Sequence, residues 1–142
     1  MVSFRFLMRL VKAAFRGSWF QAPRHTEDSW QTVCENIRDH RAILIDVREP
    51  SEWSDTQVPG SVLIPLSEIL DDPSSAAIHS KISHGKILYL FCRAGGRCRM
   101  AAYQLRGHGY DLRPLKAGPN AINEALKQSG ENGSDGLDSK RD

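Results

Sequence analysis

The sequence predicts an α/β domain with a mainly parallel sheet flanked by helices. Three short apolar runs, at residues 42–47, 61–66 and 86–91, alternate with segments of helical periodicity. Runs that are apolar at nearly every position are typical of strands buried on both faces, as in parallel sheets. Because ligands in such sheets bind beyond the carboxyl ends of the strands, we expect a functional site in the loops that follow these runs.

Composition excludes several classes of function. The chain has 142 residues, 40% of them hydrophobic and 25% charged, which is ordinary for one globular domain with a single core. Its net charge of +2 is too small to indicate nucleic acid as a partner. The 3 cysteines are an odd number and the 5 histidines are scattered, so we expect neither a disulfide framework nor a metal site. We therefore expect reactive thiols in a reducing compartment, the cytoplasm.

Residues 1–22 are predicted to form a basic amphipathic helix ahead of the domain. Its cations fall on one stripe of the helix: Arg5, Arg9, Lys12 and Arg16. Charges interrupt the apolar residues too often for a transmembrane span or for the core of a secretory signal. Three interpretations stay open: residues 1–18 lie on an anionic membrane surface, they target the chain to an organelle, or they pack on this domain or on a second copy.

The remaining elements follow from periodicity and breakers. A helix over 26–40 has Thr26 or Asp28 as its cap and carries Cys34 on its apolar face, as a small buried hydrophobe. Further along, we predict a helical turn at 67–70, a weak helix over 72–82, a helix over 97–108, a strand at 110–115 and a helix over 119–128. Residues 129–142 are rich in Gly, Ser and charge, which predicts a disordered tail.

The loop after the third apolar run reads Cys92-Arg93-Ala94-Gly95-Gly96-Arg97-Cys98 and leads into a helix. A thiol is a nucleophile only as the thiolate. Gly95 and Gly96 let backbone N–H groups turn inward as an anion nest, and the helix N-terminus and the nearby arginines add positive charge. We therefore predict a lowered pKa for Cys92 and a cradle for an anionic substrate. A glycine-rich turn around a buried cysteine is the alternative. The predicted cradle consists of Arg93, Ala94, Gly95, Gly96 and Arg97.

The length of this loop discriminates between two chemistries. Phosphoryl transfer through a cysteinyl phosphate uses a loop of the form C-x5-R, and sulfur transfer through a cysteine persulfide uses a loop one residue shorter. Here 4 residues separate Cys92 from Arg97, and position 98 is a cysteine. The smaller ring suits a bound sulfur atom better than a tetrahedral phosphate, so sulfur transfer is favoured.

Four segments in order resemble the rhodanese family, specifically single-domain rhodaneses. They are LIDVREPSEW (44–53), VPGSVLIPL (58–66), LYLFCRAGGRC (88–98) and AAYQLRGHGYDLRPLKAG (101–118). The resemblance implies a rhodanese-like domain over residues 26–128 that acts as a sulfurtransferase. It would move sulfane sulfur from a donor such as thiosulfate to cyanide or a thiol, through a persulfide on Cys92 and without a metal or organic cofactor.

The resemblance also implies roles for other residues. Arg97 matches the closing arginine of the loop, and the amides of residues 93–97 would stabilise the persulfide. Asp46 and Arg48 match a pair of charges that organises the site, and Glu52 matches an acidic position with a structural role.

Three positions depart from the family pattern. Gln57 replaces a histidine, Cys98 replaces a serine, and AGPNAINEAL (117–126) replaces a glycine pair and a tryptophan. The last change leaves the substrate preference open. Cys98 allows a sharper hypothesis, in which its thiol attacks the Cys92 persulfide and leaves a Cys92–Cys98 disulfide. The alternative is a small residue that replaces serine against the loop.

Two rival functions remain at this level. One is a phosphatase or arsenate reductase on the same fold. The other is a non-catalytic docking or sulfide-sensing module, held at a membrane by residues 1–18. For the favoured sulfurtransferase, glutathione, thioredoxin or another protein would serve as a thiol acceptor. We expect the chain in the cytoplasm, peripheral to a membrane, with organelle targeting as the alternative.

Overall fold

A computed structural model of the chain describes residues 3–8 and 23–138. Its helices are α1 (residues 4–8), α2 (Trp30–Arg38), α3 (Pro50–Trp53), α4 (Leu66–Asp71), α5 (Ala76–His79), α6 (Gly96–Leu105) and α7 (Pro119–Asp138). Its strands are β1 (Ala42–Asp46), β2 (Val62–Leu63), β3 (Ile87–Phe91) and β4 (Asp111–Pro114).

The strands form one parallel sheet in the order β2-β1-β3-β4. β1 pairs with β3 from Ala42 opposite Ile87 to Asp46 opposite Phe91. Since every pair is parallel, the carboxyl ends of the strands share one edge, and Cys92 follows β3 at that edge. The prediction of an α/β domain with a mainly parallel sheet flanked by helices is confirmed.

Alternating side chains of β3 supply two hydrophobic cores. Leu88 and Leu90 pack with residues of α4, α5 and α6 on one face. Tyr89 and Phe91 pack with residues of α2 and α7 on the other face. Helices therefore cover both faces of the sheet, which is why the strand is apolar at every position.

The segment before α2 differs from the prediction. Ser29 is the N-cap, and its side chain accepts a hydrogen bond from the N–H of Thr32. The two residues predicted as caps, Thr26 and Asp28, bind other parts of the domain. The N–H of Thr26 donates to the carbonyl of Pro114 at 2.8 Å, and Asp28 accepts from the hydroxyl of Tyr89 at 2.7 Å. Residues 23–29, here called the strap, therefore lie along the domain instead of joining the helix.

Three short elements also differ. β2 spans only Val62–Leu63 because Pro65 has no N–H for the ladder and the chain turns at once into α4. α5 is a short helix, Ala76–His79, within the predicted 72–82. The sequence did not predict α3, which begins at Pro50 and is closed by reciprocal side-chain hydrogen bonds of Glu49 and Glu52 at its start.

The two ends of the chain are described in part. α1 covers residues 4–8 of the predicted helix 1–22, and Phe6 packs against the core that contains Leu88; the rest of that prediction falls outside the described residues. α7 runs through Asp138, within the disordered tail that the sequence predicts over 129–142; residues 139–142 lie outside the described residues. Arg38 donates to the carbonyl of Ser129 at 2.9 Å, which ties this turn of α7 to α2. Among the described residues, no helix has the length and apolarity needed to cross a bilayer.

Candidate active site

β3 delivers Cys92 into the loop that precedes α6. The residue is 1% exposed, and its sulfur accepts a hydrogen bond from the N–H of Gly95 at 3.1 Å. Gly95 is the N-cap of α6 with a φ of 89°, a left-handed conformation that glycine adopts without steric strain. The turn therefore aims backbone N–H at the sulfur, the arrangement that the glycine pair predicts.

Two residues outside the loop fix its backbone. A Cβ on Gly118 would lie 2.6 Å from the carbonyl oxygen of Arg93, so only glycine fits there without displacing the loop. On the other side, Nε2 of His25 donates to the carbonyl of Gly95 at 2.7 Å. A Cβ on Gly95 would lie 2.6 Å from the same nitrogen, so position 95 requires glycine for contact as well as for conformation.

Hydrogen bonds acidify the Cys92 thiol. Its pKa is lowered from 9.0 to about 5, chiefly by a hydrogen bond from the thiol of Cys98 and further by the backbone N–H groups of Cys98, Gly95 and Ala94. Burial acts in the opposite direction because it disfavours the charged form. Cys92 is therefore a thiolate at neutral pH. The lowered pKa agrees with the sequence prediction, although Cys98, which the prediction did not count, is the main cause.

Cys98 lies in the first turn of α6 and is fully buried. Its thiol is within donating distance of the carbonyls of Gly95, at 3.2 Å, and Leu115, at 3.3 Å. The hydrogen bond with Cys92 raises the pKa of Cys98, and burial and the neighbouring thiolate charge raise it further. The site thus places a thiol beside a thiolate, with Gly95 hydrogen-bonded to Cys92 and within donating distance of Cys98. These cysteines and Cys34 are all unbridged.

Carboxylates hold the arginines of the loop. Arg97 donates twice to Glu52, at 2.5 and 2.9 Å, and this pairing lowers the pKa of the Glu52 carboxyl. Arg93 pairs with Asp55 at 2.9 Å and also lies 3.5 Å from Glu52. Their charge is largely compensated, so the loop amides and Cys98 act on the sulfur more strongly than the arginines. Arg93 is 57% exposed and stands at the rim of the site.

Asp46 and Arg48 form a buried ion pair at the end of β1. Nη2 of Arg48 lies 2.7 Å from Oδ2 of Asp46, and the two side chains are 1% and 0% exposed. Arg48 also donates to the carbonyls of Glu52, at 3.1 Å, and Thr56, at 2.6 Å. The pair therefore fixes the segment whose Glu52 holds Arg97. The site-organising role that the resemblance implies for this pair stays a prediction.

A cleft of about 390 Å³ opens beside the loop. Its walls come from the loop, from the residues around α3 and from the start of α7: Arg93, then Arg48, Asp55 and Thr56, then residues 118–121. Arg93 and Gly118 belong both to this cleft and to the contacts that shape the loop. A molecule bound in the cleft would therefore lie next to the carboxyl edge of β3.

Sequence reasoning missed three residues of the site. His25 reaches the loop across 70 positions of sequence, and no periodicity or motif marks it. Asp55 pairs with Arg93 from the segment after α3, which was itself not predicted. Gly118 had a usable signal, because it closes the last of the four family-like segments and a glycine there suggests close backbone approach.

The fold and the loop together define the class: an α/β domain with an acidified cysteine at the carboxyl edge of a parallel sheet. The family model of the rhodanese-like domain matches residues 29–125, and the chain belongs to that family. The resemblance stated from the sequence is thereby confirmed.

Several relatives carry sulfurtransferase names. The mitochondrial thiosulfate sulfurtransferase RDL2 of Saccharomyces cerevisiae is 28% identical over 121 residues, 78% of this chain and 77% of that protein. The adenylyltransferase and sulfurtransferase MOCS3 of Drosophila persimilis is 30% identical over 90 residues, 61% of this chain. The structure of the human single-domain sulfurtransferase TSTD1 aligns with a TM-score of 0.55 and 27% identity, over 65% of this chain and 89% of that one.

The alignments differ in how much of the other protein they cover. The chain spans 20% of the length of the Drosophila protein and 35% of a Synechococcus elongatus protein that it also matches. The chain is thus a rhodanese-family relative of proteins named as sulfurtransferases.

Proposed function

We propose that this chain is a sulfurtransferase that carries sulfane sulfur as a persulfide on Cys92. The observation that supports this most directly is the Cys92 thiolate, whose pKa is lowered to about 5 in a loop that aims backbone N–H at its sulfur. A thiolate at neutral pH is the form that attacks a sulfur electrophile.

In the proposed first step, the Cys92 thiolate attacks the outer sulfur of thiosulfate. The bond between the two thiosulfate sulfurs breaks, its electron pair leaves with sulfite, and Cys92 becomes a persulfide anion. The N–H groups that stabilise the resting thiolate would then face the persulfide, and Arg93, 57% exposed and paired with Asp55, would lie at the entrance to the site.

In the second step, a thiophilic acceptor removes the outer sulfur. Cyanide would leave as thiocyanate, and a thiol would leave as a persulfide, each restoring the Cys92 thiolate. The cleft of about 390 Å³ beside the loop has room for a small thiol or for an extended segment of a protein acceptor such as a thioredoxin-like protein. Its charged residues, Arg93 and Asp55, favour a polar acceptor.

The rival phosphatase or arsenate reductase activity has less support. In that chemistry an arginine must meet the equatorial oxygens of the bound oxyanion. Here both guanidinium groups of Arg97 and Arg93 are engaged by carboxylates, and the loop is one residue short of C-x5-R. A purely docking role would not require the acidified thiol.

The direct test is intact mass after incubation with thiosulfate, for the wild-type chain and for Cys92→Ser. We expect the wild type alone to gain the mass of one sulfur atom, and to lose it as thiocyanate when cyanide is added. A folded wild-type chain that gains no sulfur and also forms no thiocyanate when cyanide is present throughout the incubation would refute the proposal, and phosphate and arsenate analogues would then be tested.

We also propose that residues 1–18 contact an anionic membrane surface. In α1, Phe4 and Leu7 are 75% and 53% exposed although both are large and apolar, and the sequence places a stripe of cations on the same segment. We expect the full chain to sediment with anionic vesicles and the double variant Phe4→Asp/Leu7→Asp to stay in solution. Equal sedimentation of the two chains would remove the proposal.

A further inference from the structure

The site contains a second cysteine that the proposed sulfur transfer does not consume. Cys98 is fully buried and belongs to the same hydrophobic core as Cys92. Gly95 touches both sulfurs: its N–H donates to Cys92 at 3.1 Å, and its carbonyl oxygen lies 3.2 Å from the sulfur of Cys98. The two sulfurs are thus held against opposite ends of one residue.

We propose that Cys98 is a resolving thiol, which attacks the inner sulfur of the Cys92 persulfide, releases hydrosulfide and leaves a Cys92–Cys98 disulfide. This inference rests on the proposed function, because it needs sulfur on Cys92. It adds a second fate for the bound sulfur, which becomes free sulfide when no acceptor arrives.

The step is balanced within the site. The bond between the two persulfide sulfurs breaks, and its electron pair leaves with the outer sulfur. The proton of the Cys98 thiol passes to the outer sulfur, and the Cys98 thiolate forms the new bond to Cys92 Sγ, so a persulfide anion and a thiol give a disulfide and hydrosulfide. The Cys98 sulfur is oxidised, the outer sulfur is reduced to sulfide, and the Cys92 sulfur keeps its oxidation state.

Position decides which sulfur Cys98 attacks. Cys98 lies in the interior of the domain, with its sulfur 3.2 Å from the carbonyl oxygen of Gly95 and 3.3 Å from that of Leu115. The N–H of Gly95 reaches Cys92 Sγ, which becomes the inner sulfur of the persulfide. Because Gly95 touches both cysteine sulfurs, we expect Cys98 to attack the inner sulfur and the outer sulfur to leave as hydrosulfide.

The state of Cys92 controls the timing. In the resting site, the thiolate of Cys92 accepts a hydrogen bond from the thiol of Cys98. Without a sulfane sulfur on Cys92, the site contains no oxidant that could convert the two cysteines to a disulfide. When Cys92 is loaded, its charge moves to the outer sulfur and Cys92 Sγ becomes an electrophile. The resolved disulfide blocks further transfer until a dithiol reductant, such as a thioredoxin-like protein or dithiothreitol, restores both thiols.

The experiment loads the full chain with inorganic polysulfide, which places sulfur on a reactive thiolate without any turnover of thiosulfate. The excess is then removed, and released sulfide and intact mass are followed without an acceptor. The wild type is compared with Cys98→Ser, which keeps a donor at position 98 and cannot form a disulfide, and with Cys34→Ser as the control for the third cysteine. Trypsin cleaves after Arg93 and Arg97, so a resolved site links the peptides 87–93 and 98–99.

We expect the loaded wild type and Cys34→Ser to release one sulfide per chain and to form this cross-link, at least about tenfold faster than Cys98→Ser loses its sulfur. Dithiothreitol should restore the wild type. Equal lifetimes of the persulfide in wild type and Cys98→Ser, with no linked peptide, would overturn the inference. A chain that resolves polysulfide-derived sulfur but takes none from thiosulfate would instead refute the proposed function and leave the resolving step established.

Discussion

The hydrogen bond from Cys98 to Cys92 leads to a prediction about pH. A fall in pKa from 9.0 to about 5 corresponds to on the order of 5 kcal/mol of preference for the thiolate. Cys98 is the largest of several causes, and a hydrogen bond to a charged group contributes roughly 1.5–3 kcal/mol. Replacing Cys98 by alanine should therefore raise the pKa of Cys92 by roughly one to two pH units, whereas serine, which still donates, should keep it low.

The assay is the rate of alkylation of Cys92 by iodoacetamide as a function of pH, with the site of labelling checked by mass spectrometry. The pKa of Cys92 is lower in the folded chain than in the unfolded one, so ionisation of Cys92 stabilises the fold at high pH. In the wild type, the thiolate and this stabilisation are lost as the pH falls through about 5. The Cys98→Ala profile should fall at a higher pH. Superimposable profiles for wild type and alanine variant would refute this account of the acidity.

Two further substitutions test the framework around the loop. Gly118→Ala places a methyl group 2.6 Å from the Arg93 carbonyl oxygen and should abolish most sulfur loading on Cys92. Loading is measured by intact mass after incubation with thiosulfate. Gly130→Ala, with open space around the added methyl group, is the matched control and should load normally. Asp46→Asn leaves the buried Arg48 charge uncompensated and should lower the free energy of unfolding by ~3–5 kcal/mol, measured by urea denaturation; a loss under 1 kcal/mol would show that the pair behaves as an exposed one.

The sheet and the nucleophile were predictable because local signals agree there. The apolar run 86–91 marks a strand buried on both faces, and the two glycines after Cys92 mark a turn into a helix. The loop count and the neighbouring segments then point to sulfur chemistry. Each of these signals lies within a few residues of the group it describes, so the sequence carries it directly.

The contacts that tune the loop were not predictable in the same way. His25 lies just ahead of the helix predicted over 26–40 and carried no predicted role, yet tertiary contacts of the strap place it on the Gly95 carbonyl. The arginines were expected to acidify Cys92 by their charge, but Glu52 compensates Arg97 and lies 45 positions away from it in sequence. Long-range pairing decides both outcomes, and a residue pattern read along one chain contains no signal for it.

The compensation of the arginines bears on the choice of substrate. A phosphate or arsenate group carries charge on several oxygens and needs uncompensated cations around it. In this site Arg97 is bound at both ends of its guanidinium by Glu52, which the buried Asp46–Arg48 pair holds in place through a main-chain carbonyl. Stabilisation of negative charge is left to N–H groups and a thiol directed at one sulfur atom. Such a site favours a covalent intermediate whose charge lies on a single sulfur, the persulfide, over one whose charge is spread across a tetrahedral phosphate. This is why we propose sulfur transfer rather than phosphoryl transfer.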